Sequence, residues 1–249
     1  MLFRRDFVST YKQTVLGPLW YVVQPVMMTV TFTIIFGKIA KIPTDGLPDF
    51  LFYLSGVTFW GYFSDCVLKT SKTFTTNRNL FSKVYFPRLA VPISVLLTNL
   101  VSLAIQFLLF LGFYFFFLWK GAPIHPTWRI VILPFLVIQM ALLGLGAGCL
   151  VNALTTRYQD LANLVTFGVQ LWMYASCVVF PLSKVSSTWR LAFILNPMVP
   201  IIESFRFAFF GVGIVELWQL FVSFVVSAGV FIAGVLLFNH RAKTVVDTI

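Results

Sequence analysis

Between Arg88 and Lys120 the chain reads LAVPISVLLTNLVSLAIQFLLFLGFYFFFLW (residues 89–119), a stretch without one charged side chain. A helix rising 1.5 Å per residue needs roughly 20 residues to cross about 30 Å of hydrocarbon, so this segment suffices for a transmembrane helix. Its surroundings are of the same kind. Of the 249 residues, 59% are hydrophobic and 10% charged, and mean hydropathy is +0.91. Soluble domains hold about 25% charged residues, so composition alone places the chain in lipid.

Working outward, the other charge-free intervals mark further spans. Nothing charged lies between Lys12 and Lys38, which predicts a first helix over Leu19–Phe36. A second runs from near Phe50 to about Lys69 and contains or closely approaches Asp65. The fourth falls between Arg129 and Arg157, the fifth between Asp160 and Lys184, and the last between Glu216 and Arg241. Residues 186–215 form two short apolar pieces broken by Asn196, Pro197 and Pro200, with Arg190, Glu203 and Arg206 among them. Neither piece is long enough to cross, which predicts a hairpin that dips into the outer leaflet and returns, its backbone shielded by protein. The expected fold is all-α, with six transmembrane helices, an N-terminal interfacial helix (1–17) and an outer re-entrant hairpin between spans five and six.

The net charge of +10 does not point to nucleic acid, because the bases lie between apolar spans. With a cytoplasmic N-terminus, eleven Lys and Arg residues fall inside and seven outside, the bias that orients membrane proteins. Both termini are then cytoplasmic, and the basic loop 72–88 faces the same side. Cys66, Cys149 and Cys177 are far apart and in or beside apolar spans, so neither a disulfide framework nor a metal site is expected. No GxxxxGK[ST] loop, catalytic acid pair or nucleophile–base arrangement is present, and neither His125 nor His240 has a plausible partner nearby. Inverted repeats of the kind common in secondary transporters are not visible.

Several segments carry functional signals. Phe3, Phe7 and Tyr11 recur at i, i+4, i+8 among Arg4, Arg5 and Lys12. This suits either a helix along an anionic membrane surface or a basic flank that orients the first span. Leu16-Gly17-Pro18 makes the turn into the membrane. The 72–88 loop reads as a solvated basic loop or as a short helix seated on a partner. Aromatic residues make up 18% of the chain. Trp20, Tyr21, Phe59, Trp60, Trp172 and Tyr174 sit within spans, where rings either pack or offer faces to sugars. Asp65 is either a functional group at depth or an interfacial partner of Lys69 at i+4. Gly144, Gly146 and Gly148 include a GxxxG spacing, which suits close helix packing or dimerisation. The Glu203/Arg206 pair at i, i+3 suits a structural role in the re-entrant hairpin.

Arg5-Asp6-Phe7, Tyr11-Lys12-Gln13-Thr14-Val15-Leu16-Gly17-Pro18-Leu19-Trp20 and Gln24-Pro25 together resemble the start of ABC-2 type permeases. The likeness is strongest to the Wzm-like exporters of O-antigen and teichoic acid. Asn79 to Arg88, Arg157 to Leu161, Asn196-Pro197 through Arg206 and the tail Val246-Asp247-Thr248-Ile249 extend the resemblance along the chain in the expected order. Before Arg5-Asp6-Phe7 the resembling permeases carry a longer leader.

The resemblance implies a single ABC-2 transmembrane domain over 1–249, acting as a homodimer with two copies of a separate ATPase. ATP and Mg would be bound by that partner, and no cofactor by this chain. In that family the 72–88 loop is the coupling helix, which points to Arg78, Asn79, Phe81, Lys83 and Arg88 as ATPase contacts, and aromatic rings line the path. The cargo would be a glycan on a polyprenyl diphosphate, whose anionic head could meet Arg4, Arg5 or Lys12 at the inner leaflet of a bacterial inner membrane. The alternative is an ABC-2 exporter of a drug, lipid or small glycolipid.

Overall fold

A computed structural model describes residues 17–76, 89–155, 160–213 and 215–247, with backbone alone for Pro18, Phe74, Thr75, Asp160 and 242–247. Every element among its described residues is a helix, and there is no strand among them. After a 3-10 turn at Gly17–Leu19 comes α1, Trp20–Ile39, whose last two turns, Thr33–Ile39, widen into a π-helix. Then follow α2 (Asp49–Ser71), a helical turn (Thr73–Thr76), α3 (Ala90–Trp119) and a 3-10 turn (Trp128–Ile132) that leads into α4 (Leu133–Thr155). The chain continues with α5 (Asp160–Tyr174), α6 (Ser187–Leu195), α7 (Met198–Phe210) and α8 (Leu217–Asp247).

Four helical segments are long and apolar enough to cross a membrane, namely Trp20–Ile39, Ala90–Trp119, Trp128–Thr155 and Leu217–Arg241. They coincide with the first, third, fourth and last expected spans. Charge-free length identified them because a lipid-facing helix must be apolar on its outer surface.

The second expected span is α2, two residues longer at its C-terminal end than expected. It is less apolar than the other four because little of it faces outward. Leu51, Phe52, Leu54, Phe59 and Phe63 are at most 1% exposed, and Ser55 and Thr58 are buried with them. α1, α3, α4, α5 and α7 all pack against it, so α2 is the core of the molecule.

The fifth expected span differs in extent. Its helix stops at Tyr174 after 15 residues, and the chain turns through Cys177 at φ 55°. The two short apolar pieces beyond form α6 and α7, bent by 98° at Asn196-Pro197.

Glycines set the closest helix approaches. A Cβ on Gly144 would lie 2.7 Å from the Cys66 Cβ, and one on Gly148 would lie 2.5 Å from the Thr70 Cβ, both on α2. Gly146, on another face of α4, meets α8, where a Cβ on Gly234 would lie 2.2 Å from the Gly146 carbonyl oxygen. The GxxxG spacing is therefore consumed inside the chain. Backbones approach this closely in lipid because apolar side chains gain little from leaving it, and packing must supply the attraction.

Candidate functional site

The most elaborate polar construction lies where α7 meets the ends of α2 and α5. It begins with Asn196, whose Oδ1 accepts the Met198 N–H at 3.1 Å and so supports the first turn of α7. The Asn196 amide donates to the Ala175 carbonyl (2.9 Å) and to Ser176 Oγ (3.0 Å), tying the α6–α7 break to the end of α5. On the other side, Ser223 of α8 donates to the Pro197 carbonyl at 2.7 Å, and Gln139 of α4 donates to Ser223 Oγ at 2.6 Å.

One turn into α7, the i, i+3 spacing puts Glu203 and Arg206 on one face. Both are buried, at 1% and 2% exposure. Arg206 Nη1 donates to Glu203 Oε1 (3.0 Å) and to the Cys177 carbonyl (2.7 Å). Nη2 donates to the Val178 carbonyl (3.0 Å) and Nε to Ser55 Oγ (3.3 Å). The guanidinium also lies 3.7 Å from the centroid of the Phe52 ring. A fork with several donors in fixed directions can hold three chain segments at once, which a lysine could not. Gly56 leaves the room, since a Cβ there would stand 3.0 Å from Arg206 Nη2.

The last turn of α7 is also satisfied from outside itself. Tyr114 Oη donates to the Phe209 carbonyl (3.1 Å), the His125 N–H to the Phe210 carbonyl (3.2 Å) and the Thr127 N–H to the Ala208 carbonyl (2.9 Å). These are the carbonyls a helix end leaves open. Gly211, at φ 73°, closes the helix with the His125 carbonyl only 2.7 Å from where a Cβ would be. Nearby, Ser183 donates to the Asp45 carboxylate at 2.8 Å and joins the α1–α2 connection to this end of the molecule.

The six aromatic residues singled out from the sequence occupy different environments. Phe59 is 1% exposed and lies 4.1 Å, centroid to centroid, from Phe205. Trp60 is 5% exposed and packs edge-on against Trp172, which also contacts Phe63. Tyr21 and Trp172 are half-buried, whereas Trp20 and Tyr174 are 49% and 45% exposed.

At the opposite end, Lys69 pairs with Asp65 at 2.7 Å and donates to Asn99 Oδ1 of α3 at 2.9 Å. Both ions are nearly half exposed, so the pair adds little stability, about 0–1 kcal/mol. Asn152 of α4 donates to the Thr70 and Ser71 carbonyls (3.1 and 2.7 Å) and closes the end of α2. In the entry turn, Gly17 takes φ 47°, the left-handed conformation that glycine adopts without strain, and Pro18 follows it inside the 3-10 turn. Arg4, Arg5, Lys12, Leu16, Arg78, Asn79, Phe81, Lys83 and Arg88 lie outside the described residues.

Sequence reading found Glu203 and Arg206 but not Ser55, Gly56 or the Cys177–Val178 turn that receives the guanidinium. Those residues are 28–151 positions away in the chain, and no periodicity connects them. The one sequence signal was that a buried arginine needs several acceptors, without saying where they are.

The fold and these sites define a polytopic helical membrane protein whose polar groups, among the described residues, tie helices together. Its sequence assigns it further: the chain belongs to the ABC-2 type transporter family, whose profile matches residues 1–210. It is similar to the O-antigen export system permease protein RfbA of Myxococcus xanthus, 27% identical over 252 residues that cover 100% of this chain and 94% of that protein. An O-antigen export system permease RfbA from Klebsiella pneumoniae is 22% identical, with 94% and 88% covered. The polysialic acid transport protein KpsM of Escherichia coli is 21% identical, with 82% and 78% covered.

Proposed function

We propose that this chain is the transmembrane permease subunit of an ABC exporter that carries a lipid-linked polysaccharide across a bacterial inner membrane, driven by a separate ATPase. The observation that carries the reading is likeness along almost the whole length to permeases named for O-antigen export. The polysialic acid transport relative extends it to acidic glycans.

The topology proposed has six spans and both termini in the cytoplasm. α2, with 23 residues, is about 34 Å long and reaches across the hydrocarbon. α5, with the turn after it, provides the fifth crossing, and α6 and α7 form an outer re-entrant hairpin. The Arg206 fork supports this reading, because it supplies the protein shielding that broken backbone needs at membrane depth. Two copies of the chain enclose the path, and two ATPase subunits bind below it. ATP-driven closure of those subunits pushes on the 72–88 loop, and the N-terminal residues Arg4, Arg5 and Lys12 receive the diphosphate of the carrier. The gate turn is Leu16-Gly17-Pro18.

The test is replacement of the gene in its own organism. Loss of surface polysaccharide, with undecorated glycan accumulating inside, is expected, and complementation should require the co-encoded ATPase. Unchanged surface glycan together with loss of resistance to a drug, or loss of a small lipid from the outer face, would replace this cargo with the rival one.

A further inference from the structure

A cleft opens between the 3-10 turn Trp128–Ile132, α7 and the start of α8, apart from the polar contacts described above. Arg129, Ile132, Ser204, Phe207, Glu216 and Leu220 line it. Two apolar spans begin beside it, Trp128–Thr155 and Leu217–Arg241. At their starts stand Trp128 and Trp218, 80% and 47% exposed. Tryptophan at the end of a span sits at headgroup level, which fixes the depth of the cleft. On the proposed topology this is the outer leaflet.

Opposite charges face this cleft without pairing. The Arg129 guanidinium lies over the Phe207 ring, 4.6 Å from its centroid, and has no carboxylate partner among the described residues. Stacking occupies the face of the guanidinium and leaves its edge N–H donors for an anion. Glu216 accepts the indole N–H of Trp218, which uses only part of its acceptor capacity. The other ions on α7, Glu203 and Arg206, are spent on each other and on backbone carbonyls. At the floor, Ser204 is 9% exposed, and its Oγ is buried with no hydrogen-bond partner among the described residues. A buried hydroxyl in that state calls for water or a ligand. The floor has room for about one water molecule.

We infer that this cleft binds the zwitterionic headgroup of a phosphoethanolamine lipid. The phosphodiester accepts charge-assisted hydrogen bonds from Arg129, and the ammonium donates to Glu216. A water at the floor links the phosphate to Ser204. The acyl chains lie on the seam of α4 and α8, where Val131, Phe135, Leu217 and Phe221 are exposed and the Phe135 and Phe224 rings are 5.5 Å apart. Charge selects among headgroups. A purely anionic one satisfies Arg129 but leaves the Glu216 carboxylate beside a phosphate with no cation between them. A choline headgroup brings the cation but no N–H donor for Glu216. The site is independent of the cargo that the chain carries. A lipid seated there braces the 128–132 turn, α7 and α8 against one another at the membrane surface.

The test is native mass spectrometry of the full chain, purified with its ATPase in detergent. Phosphatidylethanolamine, phosphatidylglycerol and phosphatidylcholine with the same acyl chains are titrated in turn. Phosphatidylethanolamine is expected to bind about tenfold tighter than either of the others, the equivalent of one charge-assisted contact. Arg129→Gln should weaken its binding by a similar factor. Glu216→Gln should abolish the preference over phosphatidylglycerol without weakening phosphatidylglycerol itself. A native chain that binds phosphatidylethanolamine no tighter than the other two overturns the inference, and this comparison decides even where a variant does not fold. Undiminished phosphatidylethanolamine binding by Arg129→Gln also overturns it. Glycerophosphoethanolamine, the headgroup without its chains, should displace the lipid only at far higher concentration. Displacement at the concentration of the lipid itself would assign the cleft to a soluble phosphoethanolamine and overturn the lipid as occupant.

Discussion

Replacing Arg206 by Met keeps most of the side-chain volume and removes every hydrogen bond the guanidinium makes. Among the described residues, the Glu203 carboxylate, 1% exposed, is then left with only a 3.5 Å contact from the Leu182 N–H. Breaking a buried pair from one side typically costs about 3–5 kcal/mol, because the remaining ion has lost its partner and cannot reach water. The Cys177 and Val178 carbonyls also lose their donors, at about 1–3 kcal/mol for each one left unsatisfied. At roughly 2–4 °C per kcal/mol for a chain of this length, the midpoint should fall on the order of 10 °C or more. The assay is the apparent melting temperature of the detergent-solubilised complex at a fixed scan rate, since membrane proteins commonly unfold irreversibly.

The asymmetry of the site sharpens the expectation. Glu203→Gln leaves Arg206 with Ser55, two carbonyls and the Phe52 ring, so it should cost clearly less than Arg206→Met. The double variant should recover part of the Arg206→Met loss, because the stranded carboxylate is gone. An Arg206→Met protein that melts with the native one, or a double variant no more stable than Arg206→Met alone, would refute the reasoning.

Other consequences follow from particular contacts. Gly234→Ala puts a Cβ against the Gly146 carbonyl and should abolish the folded complex on size-exclusion chromatography. Gly168→Ala, with nothing within 4 Å of the new atom, should be neutral or stabilising by about 0.5–1 kcal/mol, as for a helix-interior glycine. Asn152→Leu uncaps the end of α2 and should lower stability by about 1–3 kcal/mol in the same melting assay. Paired Lys83→Glu and Arg88→Glu should prevent co-purification with the ATPase and stop export while leaving the permease monodisperse. Retained complex and retained export would remove the 72–88 loop from the coupling role.

Four spans were legible because length and the absence of charge suffice for helices that meet lipid directly. α2 was legible in position, but its central place was not: Ser55, Gly56 and Thr58 look like weak points in an apolar run until the surrounding helices are known. The described part of α5 begins at Asp160, where the expected interval does, but its end was not legible. Its stop at Tyr174 coincides with a left-handed Cys177 whose carbonyl is held by an arginine 29 residues later, a tertiary contact with no local pattern. The glycines of α4 were legible as a packing face, but their division between α2 and α8 depends on helix rotation. The aromatic residues show the limit of composition most plainly. Phe59 and Tyr174 both looked suited to sugars, yet one is enclosed by Phe205 and the other is open.

The central claim, a path without its own engine, is tested most directly in sealed inverted membrane vesicles loaded from outside with lipid-linked glycan. With the chain, its co-encoded ATPase and MgATP, the glycan should move to the lumen, and omission of either the ATPase or the nucleotide should stop it. Transfer of the glycan by this polypeptide alone, at the rate seen with the complete system, would contradict that claim.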